Sequence, residues 1–200
     1  TPLGDSLDRF ASALYAQTGC FESLALARSR PIPAARVHED TAAGLSRTES
    51  AVADRCTRLA LLAATRAFDN AQIAAGDGAP QCGVFVGCGT GPAESVNEAY
   101  ASMHSRGRLP ALALLRCLPS AAAGALAVRF GLRGPAQTFS SACASSAIAI
   151  GEAMRTIRHG YLDVALAGGT EAPFGDGTVM AWDGMRVLAR VDRHHNKVDF

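Results

Sequence analysis

The sequence contains no long hydrophobic run and almost no excess of charge. No apolar stretch reaches the roughly 18 residues of a membrane span, and the first residues lack the basic-then-apolar pattern of a signal peptide. Nineteen lysines and arginines oppose eighteen aspartates and glutamates, which gives a net charge of +1. A nearly neutral chain offers no electrostatic argument for binding nucleic acid or an anionic membrane. We therefore expect no nucleic-acid partner and no membrane span.

The chain also lacks the closely spaced cysteines of a metal site. Its six cysteines are far apart and no Cys-x-x-Cys pair occurs, so no metal centre is expected. Several stand in apolar stretches, where a free cysteine behaves as a small core residue. A reducing cytoplasm is the simplest setting, and we expect a cytoplasmic protein. The cysteines are Cys20, Cys56, Cys82, Cys88, Cys117 and Cys143.

What the sequence does contain is typical of a well-packed globular protein. Hydrophobic residues make up 48% and charged residues 18% of the 200 positions, which is enough to form a core without disulfides. Apolar β-branched segments alternate with amphipathic ones, which predicts layers of helices around a mainly parallel mixed sheet, an α/β fold. Residues 112–118 are ambiguous, and residues 19–47 are expected to be an irregular insertion because they are rich in proline and arginine. The predicted helices cover residues 5–17, 49–74, 92–105, 119–130, 143–158 and 177–188, and the predicted strands cover residues 83–87, 136–140 and 163–167.

Cys143 follows a predicted strand and opens a predicted helix of small residues. The partial positive charge at a helix N-terminus favours the thiolate form of a cysteine. Free backbone N–H groups there could also polarise a thioester carbonyl. The small side chains predict that this helix is buried at the centre of the fold. On the pattern alone, however, a cysteine in an alanine-rich helix is more often a core residue than a nucleophile.

Two loops at the ends of predicted strands are candidate site segments. Gly87–Gly91 (GCGTG) departs from the GxGxxG spacing of a dinucleotide loop, which favours a tight turn lining a cavity. Glu171, which follows Gly168 and Gly169, is interpreted as a structural carboxylate, with a role in the site as the less favoured alternative. Among the histidines, His159 is interpreted as a helix cap, and His194-His195 as part of a surface loop.

Four segments form an ordered set of motifs: Leu118-Pro119-Ser120-Ala121-Ala122-Ala123-Gly124, Arg129-Phe130-Gly131-Leu132-Arg133-Gly134-Pro135, Ser141-Ala142-Cys143-Ala144-Ser145 and Ala167-Gly168-Gly169-Thr170-Glu171-Ala172. Together they resemble the β-ketoacyl-acyl carrier protein synthases of the elongating, ketosynthase II-like type, in the thiolase superfamily. The resemblance covers nearly all 200 residues and is weakest in residues 19–47. Thr1–Gly4 is similar to the segment just after the family's first strand. We therefore expect residues 1–200 to be the N-terminal half-domain of a ketosynthase, without its first strand and C-terminal half.

The resemblance implies a fold and a reaction. The fold would be thiolase-like, with α-β-α-β-α layers, in a homodimer or a heterodimer with a related ketosynthase. Cys143 would accept an acyl chain from the phosphopantetheine arm of an acyl carrier protein. A malonyl-carrier thioester would then lose CO2, and its carbanion would attack the acyl-enzyme, in fatty acid or polyketide-type synthesis. Apart from the carrier's arm, no cofactor and no metal is implied.

The resemblance also assigns residues to the acyl pocket. Thr90, in the glycine loop, would line this pocket, and its polar side chain stands where an apolar wall is expected, which indicates an altered acyl site. Residues 111–119 would lie near the tunnel mouth and the dimer interface. The implied pocket residues are Thr90, Gly89, Ala142, Ala144 and Leu118.

The chain lacks the family's other catalytic motifs. It contains no His-Gly-Thr and no Gly-His-x-x-Gly-Ala, so nothing in it can polarise the malonyl carbonyl or assist the loss of CO2. We expect these 200 residues alone to be inactive. Three alternatives stay open: a non-catalytic, chain-length-factor-like partner subunit of a heterodimeric ketosynthase, a thioester acyltransferase or hydrolase, and a plain α/β binding domain. Partner subunits usually lose the active cysteine, so Cys143 argues against the first.

Overall fold

The computed structural model describes residues 1–25, 31–38, 44–73, 81–191 and 198–199. The chain divides into two compact units, residues 1–40 with 176–200 and residues 41–175. No helix in the described ranges has the length and apolarity needed to cross a membrane. The helices are α1 (Leu7–Tyr15), α2 (Arg47–Val52), α3 (Arg55–Ala71), α4 (Ala93–Arg106), α5 (Ala113–Cys117), α6 (Ala121–Phe130), α7 (Ser145–Arg158) and α8 (Asp176–Gly184). The strands are β1 (Glu22–Leu24), β2 (Ile32–Ala34), β3 (Cys82–Gly87), β4 (Ala136–Phe139), β5 (Val164–Gly169), β6 (Arg190–Val191) and β7 (Val198–Asp199).

A three-stranded parallel sheet lies at the centre of the larger unit, with β3 between β4 and β5. Every residue of β3 is buried, as expected of a continuously apolar strand that is covered on both faces. Val84 pairs with Ala136 of β4 and with Leu166 of β5. The parallel register brings the carboxyl ends of all three strands to one edge of the sheet. The predicted strands and the α/β class are thereby confirmed.

Helices cover both faces of this sheet. On one face, Val84 and Val86 pack with α3 and α6 in one hydrophobic cluster. On the other face, Phe85 packs with Ala149 and Ala153 of α7. Successive residues of β3 therefore point to opposite faces, as strand geometry requires. Complete burial of each of these large side chains contributes about 1.5–3 kcal/mol.

The single helix expected over residues 49–74 is two helices, α2 and α3. The chain is extended at Ala53, with ψ of 117°, and α3 then starts at the N-cap Asp54. The prediction was wrong because apolar residues continue at helical spacing on both sides of the break. The prediction of a single helix missed two sequence signals for a helix start. One is Asp54, a preferred N-cap residue, and the other is the capping box of Ser46 and Glu49 at the start of α2.

The carboxylate of Asp54 serves two helices. One oxygen accepts a hydrogen bond from the N–H of Cys56 in α3, at 3.0 Å, and the other from the N–H of Ser95 in α4, at 2.8 Å. Asp54 is only 1% exposed, so these bonds replace the water that the carboxylate loses. This residue therefore fixes the start of α4 relative to α3.

The segment expected to be irregular, residues 19–47, contains regular structure. Strands β1 and β2 pair antiparallel, and Ser23 lies opposite Pro33. Pro33 does not prevent this pairing, because proline is accepted in an edge strand at a position whose N–H does not join the ladder. Residues 26–30 and 39–43 of this segment lie outside the described residues.

Two other segments are now defined by the structure. The ambiguous residues 112–118 contain the short helix α5. The last predicted helix, residues 177–188, corresponds to α8, which ends at Gly184.

Helix α7, which the sequence predicted to be buried at the centre of the fold, is buried on one face. Its buried residues are Ser145, Ala149 and Ala153, which recur every four positions and form one stripe. On the opposite face, Ile150 is 52% and Met154 48% exposed. The prediction holds for this stripe alone, because small residues occur around the whole helix and only those in the stripe meet the sheet.

Candidate active site

Cys143 lies beside the edge where the three parallel strands end. Gly87 at the end of β3 pairs with Phe139 of β4 and with Gly169 of β5, so the strands end at one level. Their following loops carry the glycine loop, Cys143 and Glu171. In open parallel sheets this edge is where ligands bind.

Cys143 itself sits in a tight turn that precedes α7, not in the first turn of the helix as predicted. Ala142 has a positive φ of 48°, which costs a non-glycine residue on the order of 1–3 kcal/mol. The N–H of Ala144 donates to the carbonyl of Ser141 at 3.0 Å, and that of Ser145 to the carbonyl of Ala142 at 3.2 Å. These two N–H groups are used inside the turn, so they are not among the free donors expected at this helix start. The thiol-bearing residue is exposed.

Two glycines allow α7 to begin against the ends of β3 and β5. A Cβ atom at Gly87 would overlap the backbone of Ser145, and one at Gly169 would overlap the hydroxyl of Ser146. The strands can therefore approach the start of α7 only because both positions lack a side chain. This packing places the turn of Cys143 at the sheet edge.

Glu171 ties the glycine loop to the end of β5. Its carboxylate accepts hydrogen bonds from the N–H of Gly89 at 2.7 Å, the N–H of Thr90 at 3.2 Å and the hydroxyl of Thr90 at 2.5 Å. The Cys88 thiol also donates to it, at 3.6 Å. A Cβ atom on Gly89 would lie 3.2 Å from the carbonyl oxygen of Ala142. Glu171 thus has a structural role, as the sequence favoured: it holds the loop that touches the turn of Cys143. It is exposed, however, and not buried.

The structure brings four of the five predicted pocket residues to this edge. Ala142 and Ala144 flank Cys143, Gly89 contacts Ala142, and Thr90 follows in the loop that Glu171 holds. Leu118 lines a groove of about 380 Å³ between α2, α5 and α6. The next residue, Pro119, lies against Gly91 at the end of the glycine loop.

The other cysteines are poorer candidates for a nucleophile. Cys56, Cys82 and Cys88 are buried, and Cys20 and Cys117 are partly buried. A hydrogen bond to the Cys88 thiol, together with burial, raises the pKa of Cys56. Burial likewise raises the pKa of Cys82 and of Cys117. The hydrogen bond from Cys56 lowers the pKa of Cys88, but Cys88 is buried. Cys143 is the exposed cysteine and is therefore best placed to react with a large substrate.

No histidine in the described ranges has a recorded contact with the turn. His104 contacts the carbonyl of Tyr100 at 2.9 Å, and His159 is the C-cap of α7, as predicted. His194 and His195 lie outside the described residues. Within those residues, no group of histidine, cysteine and acidic side chains is arranged to hold a metal ion.

Comparison with known proteins assigns a family to this arrangement. Residues 1–198 match the family model described as β-ketoacyl synthase, N-terminal domain. Nodulation protein E of Rhizobium sp. (strain N33) is 38% identical over 148 residues, which cover 72% of this chain and 37% of that protein. The 3-oxoacyl-[acyl-carrier-protein] synthase 2 of Staphylococcus aureus (strain N315) is 30% identical over 151 residues, which cover 74% of this chain and 36% of that protein.

A solved structure extends the likeness to the fold. The ishigamide ketosynthase/chain length factor superposes with a TM-score of 0.74 and 26% sequence identity, over 96% of this chain and 55% of that one. The thiolase-like layered fold is thereby confirmed. The chain spans little more than a third of the length of the two curated relatives. The chain belongs to the β-ketoacyl synthase family and carries the N-terminal domain of that family.

Proposed function

We propose that Cys143 is the acyl-accepting nucleophile of a condensing enzyme, a β-ketoacyl-acyl carrier protein synthase. The observation that supports this most strongly is the exposed thiol on a strained turn at the carboxyl edge of a parallel sheet. A cysteine that only fills the core would be buried, not exposed at this edge. The burial of Cys56, Cys82 and Cys88 leaves Cys143 as the exposed thiol among the six cysteines.

The proposed reaction has two stages. The Cys143 thiolate attacks the acyl-carrier thioester, which forms an acyl-cysteine and releases the carrier's thiol. Malonyl-carrier thioester then loses CO2, and the resulting carbanion attacks the acyl-cysteine carbonyl. A carbon–carbon bond forms, the Cys143 thiolate leaves, and the product is a β-ketoacyl thioester on the carrier. The groups that assist decarboxylation are not among the 200 residues, since the family's histidine motifs do not occur in them.

The proposed partner is an acyl carrier protein, whose phosphopantetheine arm delivers both substrates in a reducing cytoplasm. No metal or further cofactor takes part in this scheme. The protein would act as a homodimer or as a heterodimer with a related ketosynthase. The names of two similar proteins, an acyl-carrier-protein synthase and a ketosynthase/chain length factor, support these partners.

The proposed acyl pocket adjoins the nucleophile turn. Gly89, Thr90, Ala142 and Ala144 would form its wall, because the glycine loop and the turn are in contact. The Thr90 hydroxyl and the carboxylate of Glu171 make this wall polar. Leu118 would contribute only at the outer end of the tunnel, since it lines a separate groove.

Substitution of the nucleophile tests the proposal. In the full-length protein with acyl-carrier and malonyl-carrier thioesters, Cys143→Ser should lower the rate of β-ketoacyl product formation by at least about a thousandfold, because a nucleophile is lost. Cys20→Ser, at a partly buried cysteine, is the matched control and should keep the rate. Normal turnover by folded Cys143→Ser would refute the assignment. Release of free fatty acid in place of a condensed product would favour a thioester hydrolase.

A further inference from the structure

The hydroxyl of Ser145 bonds across the turn that carries Cys143. Its Oγ donates to the carbonyl of Ala142 at 2.7 Å and accepts from the N–H of Ser141 at 2.9 Å. Both partners precede Cys143, whereas Ser145 follows it, so the two bonds enclose the nucleophile. Ser145 is 3% exposed. Water therefore has little access to replace these bonds.

These bonds are not those of a helix cap. The N-cap of α7 is Ala144, which makes no side-chain cap bond, and a capping hydroxyl would accept from an N–H further along the helix. The Ser145 hydroxyl instead points back along the chain, to Ser141 and Ala142. Its hydrogen bonds therefore stabilise the turn and not the helix.

The turn needs such a restraint. Ala142 has a left-handed backbone, with φ of 48°, and alanine does not favour that region as glycine does. A bond that holds the Ala142 carbonyl opposes the relaxation of this residue toward an ordinary conformation. Because Cys143 is the next residue, relaxation at Ala142 would also turn the direction of its thiol.

Ser145 can act as a fixed point because its own backbone is held. The close approach to Gly87 leaves no room for even a Cβ atom between β3 and the Ser145 carbonyl. Its side chain thus connects residues 141 and 142 of the turn to the end of the sheet. This is the geometry of an anchor for the nucleophile.

We infer that Ser145 is a positioning residue, which holds the strained turn so that the Cys143 thiol faces the substrate carbonyl. The inference rests on the proposed function of Cys143. Attack on a carrier-bound thioester needs a defined approach of sulfur to carbonyl carbon, and a misplacement of about 1 Å can cost about a hundredfold in rate. A small diffusing reagent has no such requirement.

Two rates measured on the full-length protein separate positioning from stability. The first is single-turnover acylation of Cys143 by saturating acyl-carrier thioester, and the second is its alkylation by iodoacetamide, both corrected for the folded fraction. Ser145→Ala should lower the acylation rate by about 10- to 100-fold and change alkylation by less than about threefold. Ser145→Thr keeps the hydroxyl and should recover most of the acylation rate.

Thr156→Ala is the matched control. Thr156 is in the same helix, and its hydroxyl donates only to the carbonyl of Glu152, at 2.7 Å. We expect no change in acylation from this variant. The inference is overturned if Ser145→Ala acylates at the wild-type rate, or if its acylation and alkylation fall together.

An Ala142→Gly variant tests whether the effect of Ser145→Ala depends on the backbone strain at Ala142. Glycine at position 142 accepts the left-handed backbone, so Ser145→Ala should cost less in an Ala142→Gly protein, about threefold in acylation rate. Equal losses in both backgrounds would contradict the inference. If Ser145→Ala alone is unfolded, restored folding in the double variant supports the restraint and continued unfolding contradicts it. Failure of the wild-type protein to acylate at Cys143 would instead refute the proposed function.

Discussion

The carboxylate of Glu171 joins two loops whose contacting residues are 82 positions apart in the sequence. It accepts two N–H bonds and one O–H bond from Gly89 and Thr90. Hydrogen bonds to an ionised group are worth about 1.5–3 kcal/mol each. The glycine loop beside the turn of Cys143 is therefore held in place, and in the proposed function it would resist displacement by an acyl chain.

Substitution of Glu171 tests this role. Glu171→Gln removes the charge and one acceptor while keeping the size of the side chain, so the loop should loosen. We expect a loss of about 1–2 kcal/mol in the free energy of unfolding. The ratio of acylation rates for short and long acyl chains should change by about threefold or more. Both are measured on the full-length protein, by denaturant unfolding and by single-turnover acylation.

Glu98→Gln is the control for this prediction. Glu98 forms a surface ion pair with Arg116 at 2.9 Å, and its side chain is 62% exposed. Such pairs contribute about 0–1 kcal/mol, and we expect no change in acyl selectivity. An unchanged selectivity in Glu171→Gln would show that the loop does not depend on the carboxylate.

At the residue scale, sequence singled out Cys143 but not the groups that hold its turn. Cys143 stood out because its neighbours form a local motif. The role of Glu171 depends on the pairing of β3 with β5, and that of Ser145 on the left-handed backbone of Ala142. Neither contact has a signal in the spacing of residues along the chain.

At the scale of helices and strands, Asp54 couples two helix starts. Its buried carboxylate caps α3 through Cys56 and reaches the first turn of α4 through Ser95. Since α4 follows the glycine loop directly, this contact also restrains the far end of that loop. The capping residue thus connects the packing of the helices to the candidate site.

Removal of this cap should destabilise the fold. Asp54→Ala leaves two N–H groups without acceptors in a buried place, and we expect the free energy of unfolding to fall by about 2–4 kcal/mol. Urea unfolding of the full-length protein measures the change. Asp69→Ala, at an exposed position of α3, should change it by less than about 0.5 kcal/mol. Similar effects of the two substitutions would mean that the shared cap contributes little.

Sequence periodicity predicted the strands of the central sheet correctly but not the break between α2 and α3. The strands β3, which is buried, and β5, which is half-buried, were recognisable because they are short, continuously apolar and bounded by glycine. The break between α2 and α3 was missed because the apolar stripe continues past Ala53. The expected burial of α7 was only half right, since it was based on side-chain size. Size permits close packing, but the register with the sheet decides which residues pack.

At the scale of the whole molecule, two observations bear on what packs against α7: its exposed apolar face and the likeness of this chain to longer proteins. Ile150 and Met154 are about half exposed, although they lie on the helix that follows the turn of Cys143. In the proposed five-layer arrangement, this face would pack against a second set of layers. The condensation chemistry would then be shared between the acyl-accepting cysteine of this domain and groups outside these 200 residues.

Mapping of the acyl adduct tests the central claim most directly. The full-length protein is incubated with an acyl-carrier thioester and no malonyl donor, quenched in acid, digested and analysed by mass spectrometry. We expect one acyl group per site, on the peptide that contains Cys143, with release of one carrier thiol. We expect none on Cys20 or Cys117, the two partly buried thiols. An acyl group on another cysteine, or a folded protein that remains unacylated at Cys143, would contradict the account.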